Sequence, residues 1–109
     1  MISSLHDLRS WSKLLAEGSL LSAETQAARL RTQPLNPGQP VQYGLAIADI
    51  GGFWGHNGGI AGYNTMMLHA TDIDATIVTA SNLSGPTDGA ADTIALQVLK
   101  EFYPERLTH

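Results

Sequence analysis

The sequence predicts an α+β fold, in which an antiparallel sheet of about three to four strands packs against helices at both ends of the chain. Three observations predict this fold. Apolar residues near the start recur at helical spacing, the pattern changes to alternation after residue 40, and a second helical pattern closes the chain. The links between the alternating segments are short, which is typical of an antiparallel meander because parallel strands need long crossovers.

The first helix is predicted over residues 4–17. Ser4 is followed three places later by Asp7, a spacing typical of a capped helix start, and Gly18 is placed to end the helix. The apolar residues between them repeat at helical spacing: Leu5, Leu8, Trp11 (or Ser12) and Leu15.

A second, shorter helix and a loop follow. The hydroxyl of Ser22 can accept from the free amides of a first helical turn, which predicts a helix over 23–30. The next stretch, "RTQPLNPGQP", contains three of the five prolines. Because proline cannot continue a helix, this stretch predicts a loop over 31–40.

The middle of the chain, residues 41–82, is predicted to form the strands. The alternation of Val41, Tyr43, Leu45 and Ile47 with small or polar residues predicts one half-buried strand. Three further segments are predicted to be extended: Phe53–Gly59, Tyr63–Ala70 and Ala75–Ser81. Met66, Met67 and Leu68 of the second segment are predicted core residues.

A closing helix is predicted over 87–103. Pro86 and Thr87 are typical of a helix start, and Pro104 lies just beyond its end. The apolar residues expected on one face of this helix are Ala91, Ile94 or Ala95, Val98, Leu99 and Phe102.

Length and charge restrict the classes of function. The 109 residues fit one domain, 1–109, and the 43% apolar share is typical of a globular protein. A net charge of -4 without any cluster of lysine or arginine argues against nucleic acid or an anionic membrane surface as a partner. No apolar stretch is long enough for a membrane segment, no signal peptide pattern is present, and the absence of cysteine excludes disulfides.

The segment "GFWGHNGGIAG", residues 52–62, places one imidazole among glycines. Glycines allow a ligand to approach a strand closely, so His56 and Asn57 can hold a polar group while a strand N–H faces a developing oxyanion. The alternative is a glycine-rich hairpin turn in which His56 has only a capping role. Trp54 can line the same cleft or be a packing residue.

The longer stretch "YGLAIADIGGFWGHNGGIAGYNTMMLHATDIDATIVTASNLS", residues 43–84, resembles the C-terminal segment of the serine β-lactamase and penicillin-binding superfamily. It is most similar to the class C β-lactamase-like branch that includes D-alanyl-D-alanine carboxypeptidases. His56-Asn57-Gly58 fits the His-x-Gly form of that branch's strand motif, and Gly62-Tyr63 fits the turn that follows. The first 25 residues resemble the helix after the family's second motif.

The resemblance implies a role for each residue of the motif. His56 takes the place of the motif lysine and shapes the electrostatics around the nucleophile and the substrate carboxylate. Asn57 hydrogen-bonds that carboxylate, Gly58 allows close approach, and the N–H of Gly59 is one of two oxyanion donors. The family has threonine at the position of Asn57. Because of this departure, the resemblance does not carry over the family's preference for a β-lactam or a peptide carboxylate.

Two motifs of the resembled family are not matched. There is no Tyr-x-Asn, since Asn64 follows Tyr63 directly. One Ser-x-x-Lys is present, Ser10 to Lys13, but it lies in the middle of the first predicted helix, after the point where the family's nucleophile belongs. We therefore expect a C-terminal part of a larger fold, with the nucleophilic serine elsewhere.

This expectation has consequences for partners and location. The resembled family covers the second face of its sheet with a helical domain, so we expect a bare apolar face that favours the missing N-terminal part or a homo-oligomer as partner. A small molecule or peptide is the expected substrate. Members of the resembled family are usually exported, and the sequence does not fix a compartment.

No cofactor and no metal are predicted. His69, Asp72 and Asp74 lie close together in sequence, but a turn explains the two aspartates. Two hypotheses remain. The chain is the substrate-binding and oxyanion portion of a serine hydrolase that cleaves an amide, β-lactam or ester, or it is a non-catalytic interaction domain that works by oligomerisation or complementation.

Overall fold

The computed structural model describes residues 1–83 and 89–108 and gives an α+β fold, as predicted. Its α-helices are α1 (Leu5–Glu17), α2 (Ala23–Arg29) and α3 (Ala90–Phe102), and a short 3-10 helix, Pro104–Leu107, follows α3. In the part of the chain that the structure describes, no helix has the length and apolarity needed to cross a membrane.

The ends of α1 are fixed by local chemistry. Ser4 Oγ accepts a hydrogen bond from the amide of Asp7 at 3.1 Å, as the sequence predicts. Gly18 ends the helix in the left-handed conformation, with φ 80°. Gln26 of α2 is buried and donates through Nε2 to the carbonyl of Leu15 at 3.0 Å, so α2 holds the end of α1.

The six strands in the described part of the chain form one antiparallel meander in chain order. The strands are β1 (Gln33–Pro34), β2 (Val41–Tyr43), β3 (Ala48–Ile50), β4 (Phe53–Ile60), β5 (Tyr63–Ala70) and β6 (Ala75–Ser81). Neighbouring strands are joined by short turns, for which an antiparallel sheet is the expected arrangement.

The prediction of one strand from Val41 to Ile47 is wrong. The chain turns after Tyr43, and the amide of Gly44 donates to the carbonyl of Ile47 at 2.8 Å. Ala46 adopts φ 54° in this turn, and β2 and β3 then pair as a hairpin. Alternation continued through the turn residues, so the sequence pattern could not reveal the break.

The predicted loop over 31–40 contains the short strand β1. Gln33 pairs with Tyr43 of β2, which extends the sheet by one more strand. Pro34 is compatible with this position because β1 is an edge strand, where a missing N–H breaks no ladder.

Both faces of the sheet are covered by helices, so the expectation of a bare face is wrong. Successive side chains of a strand point to opposite faces. Met66 and Leu68 belong to a cluster with Ala95 and Leu99 of α3. Met67, between them in sequence, lines a cleft with residues of α1. The two helices therefore lie on opposite sides of the sheet.

The main core lies between the sheet and α3. Its buried members are Ile50, Phe53, Met66, Leu68, Ala70, Ile77, Ala95 and Leu99. Two apolar residues proposed for the buried face of α3 are exposed: Ile94 at 52% and Phe102 at 70%. Ala95, the alternative to Ile94, is buried together with Ala91. Ala91 and Ala95 let α3 approach the sheet closely, and Ile94 and Phe102 lie outside this contact.

A buried asparagine connects β5 to the start of α3. Asn64 Oδ1 accepts from the amide of Ala91 at 2.8 Å, and Nδ2 donates to the carbonyl of Leu83 at 2.9 Å. The described part of α3 begins at Ala90. The predicted start at Pro86 and Thr87 lies outside the described residues.

Candidate active site

The candidate motif occupies the second half of β4. Only Phe53–Gly55 of this strand pair with β3, whereas the pairing with β5 continues from Trp54 to Ile60. Among the described residues, no strand pairs with the outer edge of the segment His56–Ile60. This segment is called the open edge below. An exposed sheet edge can take up an extended ligand through main-chain hydrogen bonds.

The hairpin register decides which amides face the open edge. A two-residue loop joins Ile60 to Tyr63, so this pair exchanges hydrogen bonds, and the next pairs alternate. The alternation directs the N–H and C=O groups of Asn57 and Gly59 away from β5. The two-residue loop joining β3 to β4 leads to the same assignment. Ile50 and Phe53 beside that loop exchange hydrogen bonds, so Gly55 also bonds to Ala48 of β3, on the side of β4 away from β5.

The three glycines of the motif have different surroundings. A Cβ at Gly55 would collide with the carbonyl oxygen of Met67, so internal packing requires glycine there. A Cβ at Gly58 would lie 3.1 Å from Thr65 Oγ1, which is a tight contact. A Cβ at Gly59 would have nothing of the described chain within 4 Å. Gly59 therefore has open space beside an outward-facing amide.

Both ring nitrogens of His56 are hydrogen-bonded. Nδ1 lies 2.6 Å from the carbonyl oxygen of Asn57, and Nε2 lies 2.6 Å from the hydroxyl oxygen of Tyr43. A carbonyl oxygen only accepts, so Nδ1 carries the proton. In the neutral imidazole, Nε2 then accepts from the Tyr43 hydroxyl. The ring is held in one orientation at the start of the open edge.

Asn57 is already engaged by an acidic side chain. Its Nδ2 donates to Oδ2 of Asp92, in the first turn of α3, at 2.9 Å. His56, Asn57 and Asp92 line a cleft whose other walls are mostly apolar: Leu35, Val41, Tyr43, Ala48, Ile50, Met66 and Leu96. The cleft therefore presents a carboxylate beside the amide that was expected to bind a substrate carboxylate.

Trp54 has the same phase along β4 as His56, but the cleft that contains Asp92 is lined by His56 and not by Trp54. Trp54 lies opposite His69 of β5 and Asp49 of β3. Its expected contact with substrate stays a prediction.

The local Ser-x-x-Lys pattern does not form a nucleophile and base. Ser10 Oγ donates to the carbonyl of His6, one turn earlier in α1. The ammonium of Lys13 contacts Oδ1 of Asp74 at 2.6 Å. This hydrogen bond raises the pKa of Lys13 above its ordinary value, so Lys13 keeps its proton.

The sequence-predicted residues are thus brought together in part. His56, Asn57, Gly58 and Gly59 follow one another along the open edge, and Trp54, two residues before His56, lies away from the cleft that contains Asp92. Sequence reasoning missed Tyr43 and Asp92. The alternating pattern marked Tyr43 only as a strand residue, and no signal distinguished Asp92 from any acidic residue near a helix start.

A family model described as Beta-lactamase matches residues 1–100 of the chain. The chain belongs to the beta-lactamase family. This match supports the superfamily resemblance and a serine hydrolase-like fold. A search of curated proteins found no match to this beta-lactamase family chain.

Proposed function

We propose that this beta-lactamase family chain supplies the substrate-binding and oxyanion strand of a serine hydrolase of the carboxypeptidase-like, His-x-Gly branch. The hydrolase cleaves an amide, β-lactam or ester through an acyl-enzyme. The observation that carries the proposal is the open edge of β4, with the amide of Gly59 directed outward into open space.

Each residue of the open edge has a proposed role. The Gly59 N–H donates to the carbonyl oxygen of the substrate, and this hydrogen bond strengthens as negative charge develops there. His56 is a polar wall of the site whose ring is fixed by Tyr43 and the Asn57 carbonyl. Gly58, which has no Cβ, allows the substrate to approach the strand closely. Trp54, two residues before His56 on the same strand, is proposed to contact the substrate.

Asp92 refines the proposed substrate class. A carboxylate that accepts from Asn57 Nδ2 repels a second carboxylate brought to the same amide. The exposed position of Asn57 reduces this repulsion but does not reverse its sign. The proposed hydrolase therefore prefers esters or amides without a carboxylate at this position over β-lactams and free peptide C-termini.

The test is a titration of the chain with N-acetyl-D-Ala-D-Ala and, separately, with its methyl ester, monitored by two-dimensional ¹H–¹⁵N NMR. The ester is expected to shift the amides of Asn57 and Gly59 and to bind more tightly than the acid. Asp92→Asn keeps the hydrogen bond to Asn57 and is expected to reverse or abolish this preference. Absence of any shift at the open edge with either peptide would refute the proposal.

Intact-mass measurement after incubation with a fluorescent penicillin and a fluorophosphonate tests where the nucleophile is. No covalent adduct is expected, because Ser10 has no base beside it. An adduct mapped to Ser10 would mean that the chain is a self-contained acyl enzyme.

One observation favours the alternative, a non-catalytic domain that works by oligomerisation or complementation. Trp11 and Leu14 of α1 are exposed and line an apolar cleft together with Met67. An exposed apolar patch of this kind is typical of a surface that meets another protein. Light scattering distinguishes the alternatives: self-association without ligand shifts at the open edge would favour the interaction domain.

A further inference from the structure

Three ligand-type side chains that are not part of the open edge meet on the α1 side of the sheet. Glu17 ends α1, His69 lies near the end of β5, and Asp74 lies in the turn between β5 and β6. Nε2 of His69 is 4.0 Å from Glu17 Oε1 and 4.0 Å from Asp74 Oδ1. One ligand atom from each residue lies within 4.8 Å of the other two.

His69 has an unsatisfied nitrogen directed into this cluster. Its side chain is 0% exposed, and its Nε2 has no hydrogen-bond partner among the described residues. Nδ1 lies 2.8 Å from Thr76 Oγ1. When Nδ1–H donates to Thr76, a lone pair on Nε2 faces the two carboxylates. A buried acceptor without a donor is costly, and a cation between the three groups removes that cost.

Lys13 at present supplies the positive charge at the cluster. Its Nζ lies 2.6 Å from Asp74 Oδ1 and 3.6 Å from Glu17 Oε1. The side chain is 43% exposed, and its flexible stem allows the ammonium to move into solvent. A pocket lined by Arg9, Ser10, Lys13, Asp74 and Thr76 opens beside the cluster and gives an ion a path from solvent.

We propose that Glu17, His69 and Asp74 form a binding site for a divalent transition-metal ion, with Zn²⁺ as the preferred ion, that binds in exchange for the Lys13 ammonium. One imidazole nitrogen and two carboxylate oxygens are a donor set suited to Zn²⁺, and a water molecule from the adjoining pocket completes four-coordination. Tetrahedral coordination brings the ligand atoms to about 3.3 Å from one another. The exposed carboxylates can make this contraction, since His69 alone is fixed by burial.

The surroundings of His69 fit a metal ligand. A coordinating histidine normally donates its second ring N–H to a neighbouring acceptor, which fixes the tautomer, and Thr76 Oγ1 takes that position. Burial lowers the pKa of His69, so the imidazole stays neutral and its lone pair is available. The charges of Lys13 and Arg9 oppose the incoming cation and make the site weaker than a purely structural zinc site.

The test is calorimetric titration of the chain with Zn²⁺, together with titration with Co²⁺, whose visible absorption reports four-coordination. All variants carry His6→Ala, which removes an exposed histidine of α1 as a source of adventitious binding. Glu17→Gln and Asp74→Asn are each expected to weaken Zn²⁺ binding at least about tenfold. Asn tolerates the left-handed conformation of Asp74, φ 49°, so the second variant keeps the turn.

Lys13→Met and Asp72→Asn complete the design. Lys13→Met removes the competing ammonium and is expected to strengthen Zn²⁺ binding about tenfold or more. Asp72 lies two residues before Asp74 but contacts Arg106, so Asp72→Asn is expected to leave binding unchanged. The proposal is overturned if Lys13→Met shows no Zn²⁺ binding, or if binding survives the combined Glu17→Gln and Asp74→Asn changes, since the ion is then adventitious only.

Discussion

The hydroxyl oxygen of Tyr43 lies 2.6 Å from Nε2 of His56, and the two rings meet edge to face with centroids 5.6 Å apart. Tyr43 ends β2, and His56 begins the open edge of β4. This contact, together with the bond from Nδ1 to the Asn57 carbonyl, uses both nitrogens of the imidazole. The histidine of the motif is therefore a fixed group rather than a mobile one.

The Tyr43–His56 contact can be measured by a double-mutant cycle. Tyr43→Phe removes the hydroxyl, and we expect it to lower the free energy of unfolding by about 0.5–1.5 kcal/mol. In a His56→Ala background the same change is expected to cost much less, because the partner nitrogen is gone. Urea unfolding of the four proteins gives the coupling energy. Tyr63→Phe, at an exposed tyrosine, is the control. Equal costs of Tyr43→Phe in the original and the His56→Ala backgrounds would contradict the contact.

The glycines of β4 separate a folding requirement from a site requirement. Gly55→Ala places a Cβ against the Met67 carbonyl oxygen, and we expect it to destabilise the chain by about 1–3 kcal/mol. Gly59→Ala meets nothing of the described chain, so its unfolding free energy is expected to stay within about 0.5 kcal/mol of the original.

Thermal unfolding of these two glycine variants checks the difference. If the open edge binds a ligand, Gly59→Ala weakens that binding without loss of stability. A large loss of stability in Gly59→Ala would show that the glycine serves packing instead.

The pH dependence of stability is expected to reveal Asp49. Burial raises the pKa of Asp49 above the ordinary 3.8, against the smaller opposite effect of the hydrogen bond from the Gly52 amide. The folded state therefore keeps this proton to higher pH than the unfolded state. The stability that Asp49 contributes is complete below pH 3.8 and is lost as pH rises through the folded pKa.

Asp49→Asn keeps an oxygen for the Gly52 amide but carries no charge. We expect the variant to gain stability relative to the original chain as the pH rises from about 3 to 7, so that the difference between their free energies of unfolding increases in favour of the variant. Asp72→Asn provides a control of opposite sign, because the hydrogen bond from Arg106 lowers the pKa of Asp72. Denaturant curves across this pH range test both, and parallel pH profiles for the two variants would contradict the assignment.

The sequence alone determined the features that depend on neighbours along the chain. Ser4 and Gly18 fix the ends of α1 by local hydrogen bonds and by a left-handed backbone, so they can be recognised without any tertiary information. The same holds for the strands β5 and β6 and for the placement of the His56 motif on a strand. The turn between β2 and β3 was not predicted, because the alternation of apolar residues reports periodicity along the chain and not which residues pair.

Only the tertiary structure decided which groups meet. Asn57 and Asp92 are 35 residues apart, and their contact depends on α3 crossing one particular face of the sheet. His69 meets Glu17 because α1 crosses the other face. Side-chain contacts of this kind depend on the register of the strands and the side on which each helix packs, and no short-range pattern in the sequence encodes either one.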